Sequence, residues 1–300
     1  MKYFIKKFGD IKLITIFVPE QLKQTIMTKE TKKPLLSKNN HKTIKGEKFG
    51  IITYILYMSP FTANSKGINV CSHASKGCAE SCLVGSGMGG MYENVRNGRI
   101  RKTEYFLSDR TAFLTDLKNE IGKLVAKHSK QGDKVVFRLN GTSDIRYEKF
   151  KIFEGKNIFE VYPDVQFYDY SKNWLRFDTE LPANYHLTFS RSETNNDKAM
   201  EILARGYNVA MVFDNLPETY KGYKVINGDE SDLRFKDEKN VIVGLKYKKI
   251  TGTGGKEKNL AAYASGFVIK TEQAKVVDKI EATYKESKKR YKNTLKKLVD

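Results

Sequence analysis

Lys134-Val-Val-Phe-Arg-Leu-Asn140-Gly-Thr-Ser-Asp144 is a short apolar run closed by a string of small polar residues. Lys134–Leu139 has the length and the β-branched and aromatic content of a strand, and Asn140–Asp144 has the turn chemistry that ends one. The pattern recurs in both directions. Upstream, Phe49-Gly-Ile-Ile-Thr-Tyr-Ile-Leu-Tyr-Met58 is a second strand, followed by Ser-Pro and a cysteine-bearing loop. Downstream, Val165–Tyr170 runs into Ser171-Lys172-Asn173, His186–Ser190 into Arg191-Ser192-Glu193, and Asn208–Phe213 into Asp214-Asn215. Lys224–Ile226 leads to Asn227-Gly-Asp-Glu-Ser-Asp232 and then Arg234, and Val241–Leu245 to Lys246. From Tyr92 to His128 the period changes: Leu107, Phe113, Leu114, Leu117, Ile121 and Leu124 recur at helical spacing, with Ser108-Asp109 as an internal helix start. Asp197–Ala204 reads as a further helix. Short strands separated by helices or long loops predict an α/β fold with a parallel sheet, here a partial or irregular (β/α) TIM-like barrel. In such folds the C-terminal strand ends share one face, and ligands bind there. Asn, Gly, Asp and Ser also terminate strands and cap helices for purely structural reasons. Their repetition, with charged residues in nearly every string, points to a shared site.

All three cysteines of the 300-residue chain lie in Cys71-Ser-His-Ala-Ser-Lys-Gly-Cys78-Ala-Glu-Ser-Cys82, a C-x6-C-x3-C cluster. An odd number argues against a disulfide framework, and no second group completes a four-cysteine zinc site. Two ligand sets remain open. Zinc would need His73 beside Cys71, Cys78 and Cys82, although a Cys-x-His pair is short for that geometry. A [4Fe–4S] cluster needs only the three thiolates and leaves one iron free for an exogenous group. Lys76 and the glycines Gly77, Gly85, Gly87, Gly89 and Gly90 offer donors to an anionic cluster, or simply loosen the loop.

Composition bounds the rest. With 40% hydrophobic and 12% aromatic residues the chain is globular. It contains no run of about 18 apolar residues to cross a membrane and no leader-like cleavage site. A cytoplasmic protein is expected, where clustered cysteines serve metals or catalysis. The net charge of +19 is uneven. Residues 1–48 carry twelve Lys against four acids, and residues 271–300 nine Lys or Arg against five. Three segments follow: a basic N-terminal arm (1–48), an α/β body (49–270) and a basic C-terminal helix (271–300) with Val276, Val277, Ile280, Tyr284 and Tyr291 along it. Basic arms suit phosphate backbones, so nucleic acid is the expected partner; solvated lysines are the plainer reading. Gly252-Thr-Gly-Gly255 lacks the spacing of a phosphate-binding loop and reads as a glycine-rich turn.

The strings MSPFTANSKGINVCSHASKGCAESCLVGSGMGG, RIRKTEYF, RLNGTSDIRYE, VQFYDYSKN, NYHLTFSRSE, NVAMVF and GDESDLRF, in this order, resemble the "gene product 88" family of phage and plasmid proteins over about residues 50–250. That resemblance implies a mobile-element origin and no particular reaction. More distantly, a strand, a three-cysteine loop and a helix followed by strands with polar ends are similar to the partial barrel of radical S-adenosylmethionine enzymes. The likeness implies that a [4Fe–4S] cluster on Cys71, Cys78 and Cys82 would chelate S-adenosylmethionine. Asn140, Gly141, Thr142 and Asp144 would then bind the cofactor's amino group, and Ser190, Arg191, Ser192 and Glu193 its ribose and carboxylate. The cysteine spacing departs from that family's C-x3-C-x2-C.

Three functional expectations result. The first is an iron–sulfur enzyme acting on nucleic acid or nucleotide, with Asp169, Tyr170, Lys172, Asp232, Arg234 and Lys246 facing the substrate. The second is a zinc-stabilised nucleic-acid-binding protein in which Tyr168, Tyr170 and Trp174, interleaved with Lys172 and Arg176, stack on bases. The third is a metal-dependent hydrolase or phosphoryl-transfer enzyme using Asp144, Asp169, Asp229, Glu230 and Asp232.

Overall fold

The computed structural model describes residues 33–38, 43–80, 82, 92–250, 254–272, 282–283 and 285–289. The chain divides into two units, Met1–Pro34 and Leu35–Asp300. The first is described only at Lys33 and Pro34, so the fold below is that of the second. The basic arm up to residue 32 lies outside the described residues, as do the C-terminal helix positions Val276, Val277, Ile280, Tyr284 and Tyr291. Residues 282–283 and 285–289 are helical.

Ten strands form one sheet. Its centre is β2 (Ile51–Leu56), β3 (Lys134–Arg138), β4 (Gln166–Ser171), β5 (Tyr185–Ser190), β6 (Val209–Phe213), β9 (Ile242–Lys246) and β8 (Tyr223–Asn227), in that order and all parallel. Two-residue antiparallel strands finish the edges, β1 (Leu36–Ser37) on β2 and β7 (Thr219–Tyr220) on β8. β10 (Val268–Ile269) lies parallel to the far end of β6. Near-continuous apolar runs such as Ile51–Leu56 are what a sheet covered on both faces requires.

Among the described residues, the α-helices that precede β10 are α1 (Thr43–Glu47), α2 (Lys76–Glu80), α3 (Glu93–Ser108), α4 (Arg110–Gln131), α5 (Ile158–Val161), α6 (Asn196–Ala204) and α7 (Gly255–Ala264). α3 and α4 split at Asp109, whose carboxylate accepts the Ala112 amide and caps α4. Gly132 ends α4 at φ 74°, a conformation glycine adopts without strain. Phe113, Leu114, Leu117 and Ile121 of α4 join Leu56, Phe137, Phe167, Phe189, Met211 and Phe213 of the strands and Ile202 and Leu203 of α6 in the main core. β1 and α1, within the stretch assigned to the arm, both pack on β2. β1 is clamped from α3 and α4. Glu120 accepts the amides of Leu35 (2.8 Å) and Leu36 (3.1 Å), and Lys102 donates to the Leu35 carbonyl at 2.9 Å. Burial pulls the Lys102 ammonium down to about 8.

The sheet stays open; the expected TIM-like barrel does not close. Closure needs strands of matched length continuing one sheared ladder. Here the edges are two-residue antiparallel strands that pair with different neighbours, and the β/α alternation breaks after β6 with the β7–β8 hairpin. Residues 228–238 cover the second face instead. Leu233 packs on Ile51, Val136 and Tyr168. Asp232, 2% exposed, accepts Arg138 Nη1 at 2.7 Å. The Arg138 guanidinium lies 5.1 Å from the Tyr170 ring centre and 5.6 Å from that of Tyr168. Arg234, 1% exposed, donates to the Ser231 carbonyl and stands 3.2 Å from Asp237. Among the described residues, no helix is long and apolar enough to cross a membrane.

Removing one partner of a buried pair strands the other charge, so Asp232→Ala should cost about 3–5 kcal/mol in urea unfolding. Exposed Glu230→Ala on the same loop should stay within about 0.5 kcal/mol. His186 offers a pH test of this face. Burial, reinforced by Arg234, holds its imidazole down to about 4. The unfolded chain takes up that proton near pH 6.5, so the His186 contribution is present above that pH and is lost as pH falls toward 4. Buried Asp169 and Asp237, both raised to about 6, act in the opposite direction over much of the same window. The difference between wild type and His186→Gln should therefore isolate a loss of about 3 kcal/mol at most between pH 6.5 and 4.

Candidate metal centre

The cysteine loop sits over the C-terminal ends of the parallel strands because three separate strand ends hold it there. At the end of β2, Thr142 Oγ1 donates to the Met58 carbonyl at 2.5 Å and the Gly141 amide to Leu56 at 3.0 Å. Gly141 must be glycine: a Cβ would lie 2.5 Å from Ile55 Cγ2 and 2.9 Å from the Leu56 carbonyl. The next residues meet the loop itself. The Asp144 amide reaches the Val70 carbonyl at 2.9 Å, and Cys71 Sγ lies 3.5 Å from the Thr142 carbonyl. From the end of β5, Glu193 accepts Ser75 Oγ (2.8 Å) and the Gly77 amide (2.7 Å). Ser75 Oγ in turn accepts the Cys78 amide at 3.1 Å, capping the short helix α2. A Cβ on Gly77 would fall within 2.8 Å of the Glu193 carboxylate, so that glycine is the condition for the clamp.

Several residues expected to bind a cofactor prove to be this scaffold. Asn140 accepts Ser143 Oγ and the Ile145 amide, each at 2.8 Å, and donates to the Ile145 carbonyl at 3.0 Å. Asp144 accepts Ser171 Oγ (2.8 Å), the Lys172 amide (2.9 Å) and Arg176 Nη1 (3.0 Å). Arg191 donates to the carbonyls of Gly266 (2.6 Å) and Phe267 (3.1 Å), and the Ser192 amide to Asn195 at 2.6 Å. With Glu193 on α2, the polar groups of Asn140, Asp144, Arg191 and Glu193 are committed to neighbouring side chains and to backbone. The arrangement does not fit S-adenosylmethionine held through these side chains.

The residues expected to face a substrate separate into different places. Asp169 is fully buried, accepting the amides of Asn140 (2.9 Å) and Leu139 (3.3 Å) and Tyr185 Oη (3.2 Å). Burial pushes its carboxyl up to about 6. Asp232 and Arg234 cover the second face, and Lys246 is exposed at the end of β9 with its amide on Asp229 at 3.0 Å. Lys172 follows the end of β4, its Nζ 2.6 Å from Ser190 Oγ on the neighbouring strand. Tyr168 and Arg176, expected to contact bases, are fully buried and so cannot stack on a nucleic acid. Gly254 and Gly255, read as part of a turn, open α7; Gly252 lies outside the described residues.

Cys71 lies within electrostatic reach of both Cys78 and Cys82. Burial pushes Cys71 up to about 12, and nearby Cys82, Asp144 and Cys78 add to the rise while a backbone amide at Phe61 opposes it. Among the described residues no three His, Cys, Asp or Glu side chains form a ready-made metal site. His73 is turned to other neighbours: its Nδ1 is 3.0 Å from Ser72 Oγ, and its ring meets Trp174 edge-on at 5.3 Å. The loop glycines Gly85, Gly87, Gly89 and Gly90 lie outside the described residues.

Arg99 of α3 completes the site and was not among the residues singled out from the sequence. Its guanidinium lies over Tyr57 at 5.1 Å and interacts with Cys82, while its buried Nε and Nη1 have no hydrogen-bond partner among the described residues. Burial lowers its pKa from the ordinary value, yet a guanidinium keeps its charge. RIRKTEYF enters the sequence reading only as one of the strings that carry the family resemblance; the fold brings Arg99 beside Cys82. A thiolate-bound metal carries negative charge and sulfur acceptors, so three cysteines beside an arginine with two unused N–H donors have the donor chemistry an anionic metallocluster needs.

A family model described as Gene product 88 matches residues 34–271. The chain belongs to the gene product 88 family. No curated protein and no solved structure matches it. The family match spans the whole sheet, the cysteine loop and α7. The radical-enzyme likeness thus rests on the arrangement of strand and cysteines alone.

If Glu193 is what seats the loop of this gene product 88 protein, Glu193→Ala should raise the alkylation rate of Cys78 by iodoacetamide at least several-fold in the folded, metal-free chain. Glu193→Gln, which keeps one acceptor, should fall between the two, as followed by mass spectrometry.

Proposed function

We propose that this gene product 88 protein is an iron–sulfur protein of mobile-element type, working in a reducing cytoplasm, with its cluster at the strand-end face of an α/β sheet that resembles part of a barrel. The observation that carries the reading is Arg99. Beside Cys82, the buried Nε and Nη1 of its guanidinium have no hydrogen-bond partner among the described residues, and leaving such donors unpaired costs about 1–3 kcal/mol. Cys71, Cys78 and Cys82 would hold the group, and Arg99 would donate to it from α3. When bound, such a cluster supplies one-electron chemistry and an open iron position.

The chain's own residues do the positioning. Glu193 fixes the start of α2 and with it Cys78, and the Asn140–Asp144 loop fixes Cys71 through the Thr142 carbonyl. Lys172 and Ser190 present a cation and a hydroxyl on the same face, the polar groups there best placed to meet an anionic substrate. S-adenosylmethionine chemistry is not carried forward, because the side chains expected to hold it are occupied.

Protein prepared without oxygen should be brown, with about four irons and four sulfides per chain. Each of Cys71→Ser, Cys78→Ser and Cys82→Ser should lose most of that iron. Arg99→Gln should keep the iron but shift the reduction potential to more negative values, since a buried cation favours the more negative, reduced cluster. A colourless protein with one zinc per chain would replace this reading with the structural-zinc one.

A further inference from the structure

After β9 the chain continues Lys246-Tyr-Lys-Lys-Ile250 and is pinned to α7 by one side chain. Asn259 accepts the Ile250 amide (2.8 Å) and Tyr247 Oη (2.9 Å) and donates to the Ile250 carbonyl (3.0 Å). Tyr247 also meets Tyr263 edge-on at 5.5 Å. Between this tail and α7 lies an open groove of about 440 Å³, lined by Lys249, Ile250, Lys256, Asn259, Leu260 and Tyr263. Its floor is apolar and aromatic. Leu260 is 62% exposed, unusual for a leucine whose neighbours could have covered it. Its rim is cationic: Lys249 and Lys256 are exposed, and among the described residues neither has an ion pair, whereas neighbouring Lys248 is paired with Asp229 at 3.6 Å.

We infer that this groove binds single-stranded nucleic acid, seating one base on Leu260 and Tyr263 with the flanking phosphates on Lys249 and Lys256. The chemistry of the lining selects this occupant. Apolar side chains beside a tyrosine ring suit a π-face, and two exposed ammonium groups, unpaired among the described residues, suit a phosphodiester backbone. A cavity of this size takes a small-molecule-sized group, so it suits a splayed nucleotide. A duplex keeps its bases stacked inside and would present only phosphates. The groove is separate from the stacking surface expected from the sequence, since Tyr168 and Arg176 are buried. It does not depend on the cluster, although α7 packs against the cysteine-loop helix α2.

The test uses the full-length chain and a fluorescein-labelled oligo-dT 20-mer, followed by fluorescence anisotropy over a series of salt concentrations. Lys249→Gln/Lys256→Gln should weaken binding and reduce the slope of log K against log salt by about 1.4, two phosphates at about 0.7 each. Tyr263→Ala should weaken binding about tenfold and leave the slope unchanged, while Tyr263→Phe should bind like the wild type. If Tyr263→Ala perturbs the fold by circular dichroism, the surface lysine pair decides the matter alone. Wild-type affinity in the lysine pair would overturn the proposal, placing any binding on the terminal basic segments. Equal affinity for a duplex of the same length, or displacement of the oligonucleotide by an equal charge concentration of poly-glutamate, would overturn it as well.

Discussion

Arg176 is completely buried, and everything at the strand ends depends on how its charge is met. Its guanidinium donates to Asp144 (3.0 Å), to both oxygens of Glu148 (2.9 and 3.0 Å) and to Tyr185 (2.9 Å). A buried cation is tolerable only when its donors are satisfied and counter-charges are close. Meeting that condition draws the loop after β3 toward the end of β4 and fixes Asp144 against Ser171 and Lys172. The same loop carries the Thr142 carbonyl that lies against Cys71. The cysteine site is therefore placed by a charge network that reaches it through Asp144, whose amide holds the Val70 carbonyl beside Cys71.

A second buried charge pair explains why the sheet remains open. Arg138 points from the end of β3 into the space a barrel would enclose, and it requires a carboxylate there. Asp232 supplies one, brought in by the segment between β8 and β9, with Leu233 alongside to pack on Ile51, Val136 and Tyr168. Once that segment occupies the face, no room remains for the strands to curl round and meet. The polar string after β8 is thus a cover for the sheet. Its acidic and basic residues look functional in sequence because a buried ion pair and a catalytic pair have the same composition.

Much of the fold was legible. Strands were found at Lys134–Leu139, Val165–Tyr170, His186–Ser190 and Val241–Leu245 because buried parallel strands are continuous apolar runs, and the helix start at Asp109 because capping has a local signature. The two-residue strands β1, β7 and β10 escaped because their pairing is set by distant partners. The opening of α7 was hidden by Gly254 and Gly255, which look like a turn until the helix beyond them is placed. At the site, the cysteines were evident from their clustering. The roles of Asn140, Asp144 and Glu193 were not, since a side chain that binds a ligand and one that binds a backbone amide 116 residues away are the same residue in sequence. Arg99 was invisible because nothing local to its helix tells an arginine beside a cysteine loop from any other arginine.

These constraints meet at α2. Only five residues long, it is too short to hold its shape unaided. Glu193 grips its first turn from β5, Cys78 lies in its middle, and α7 packs against it. Arg191, two residues before Glu193, fixes the turn between α7 and β10 through the carbonyls of Gly266 and Phe267. One strand end therefore positions both the cysteine-loop helix and the helix that lines the lysine-rimmed groove. A ligand that moved α7 would load the Glu193 clamp directly, and a metal drawing Cys78 toward Cys71 would pull on the same carboxylate from the other side. In the proposed reading of the two sites, that shared anchor is the physical route by which occupancy of one would be felt at the other.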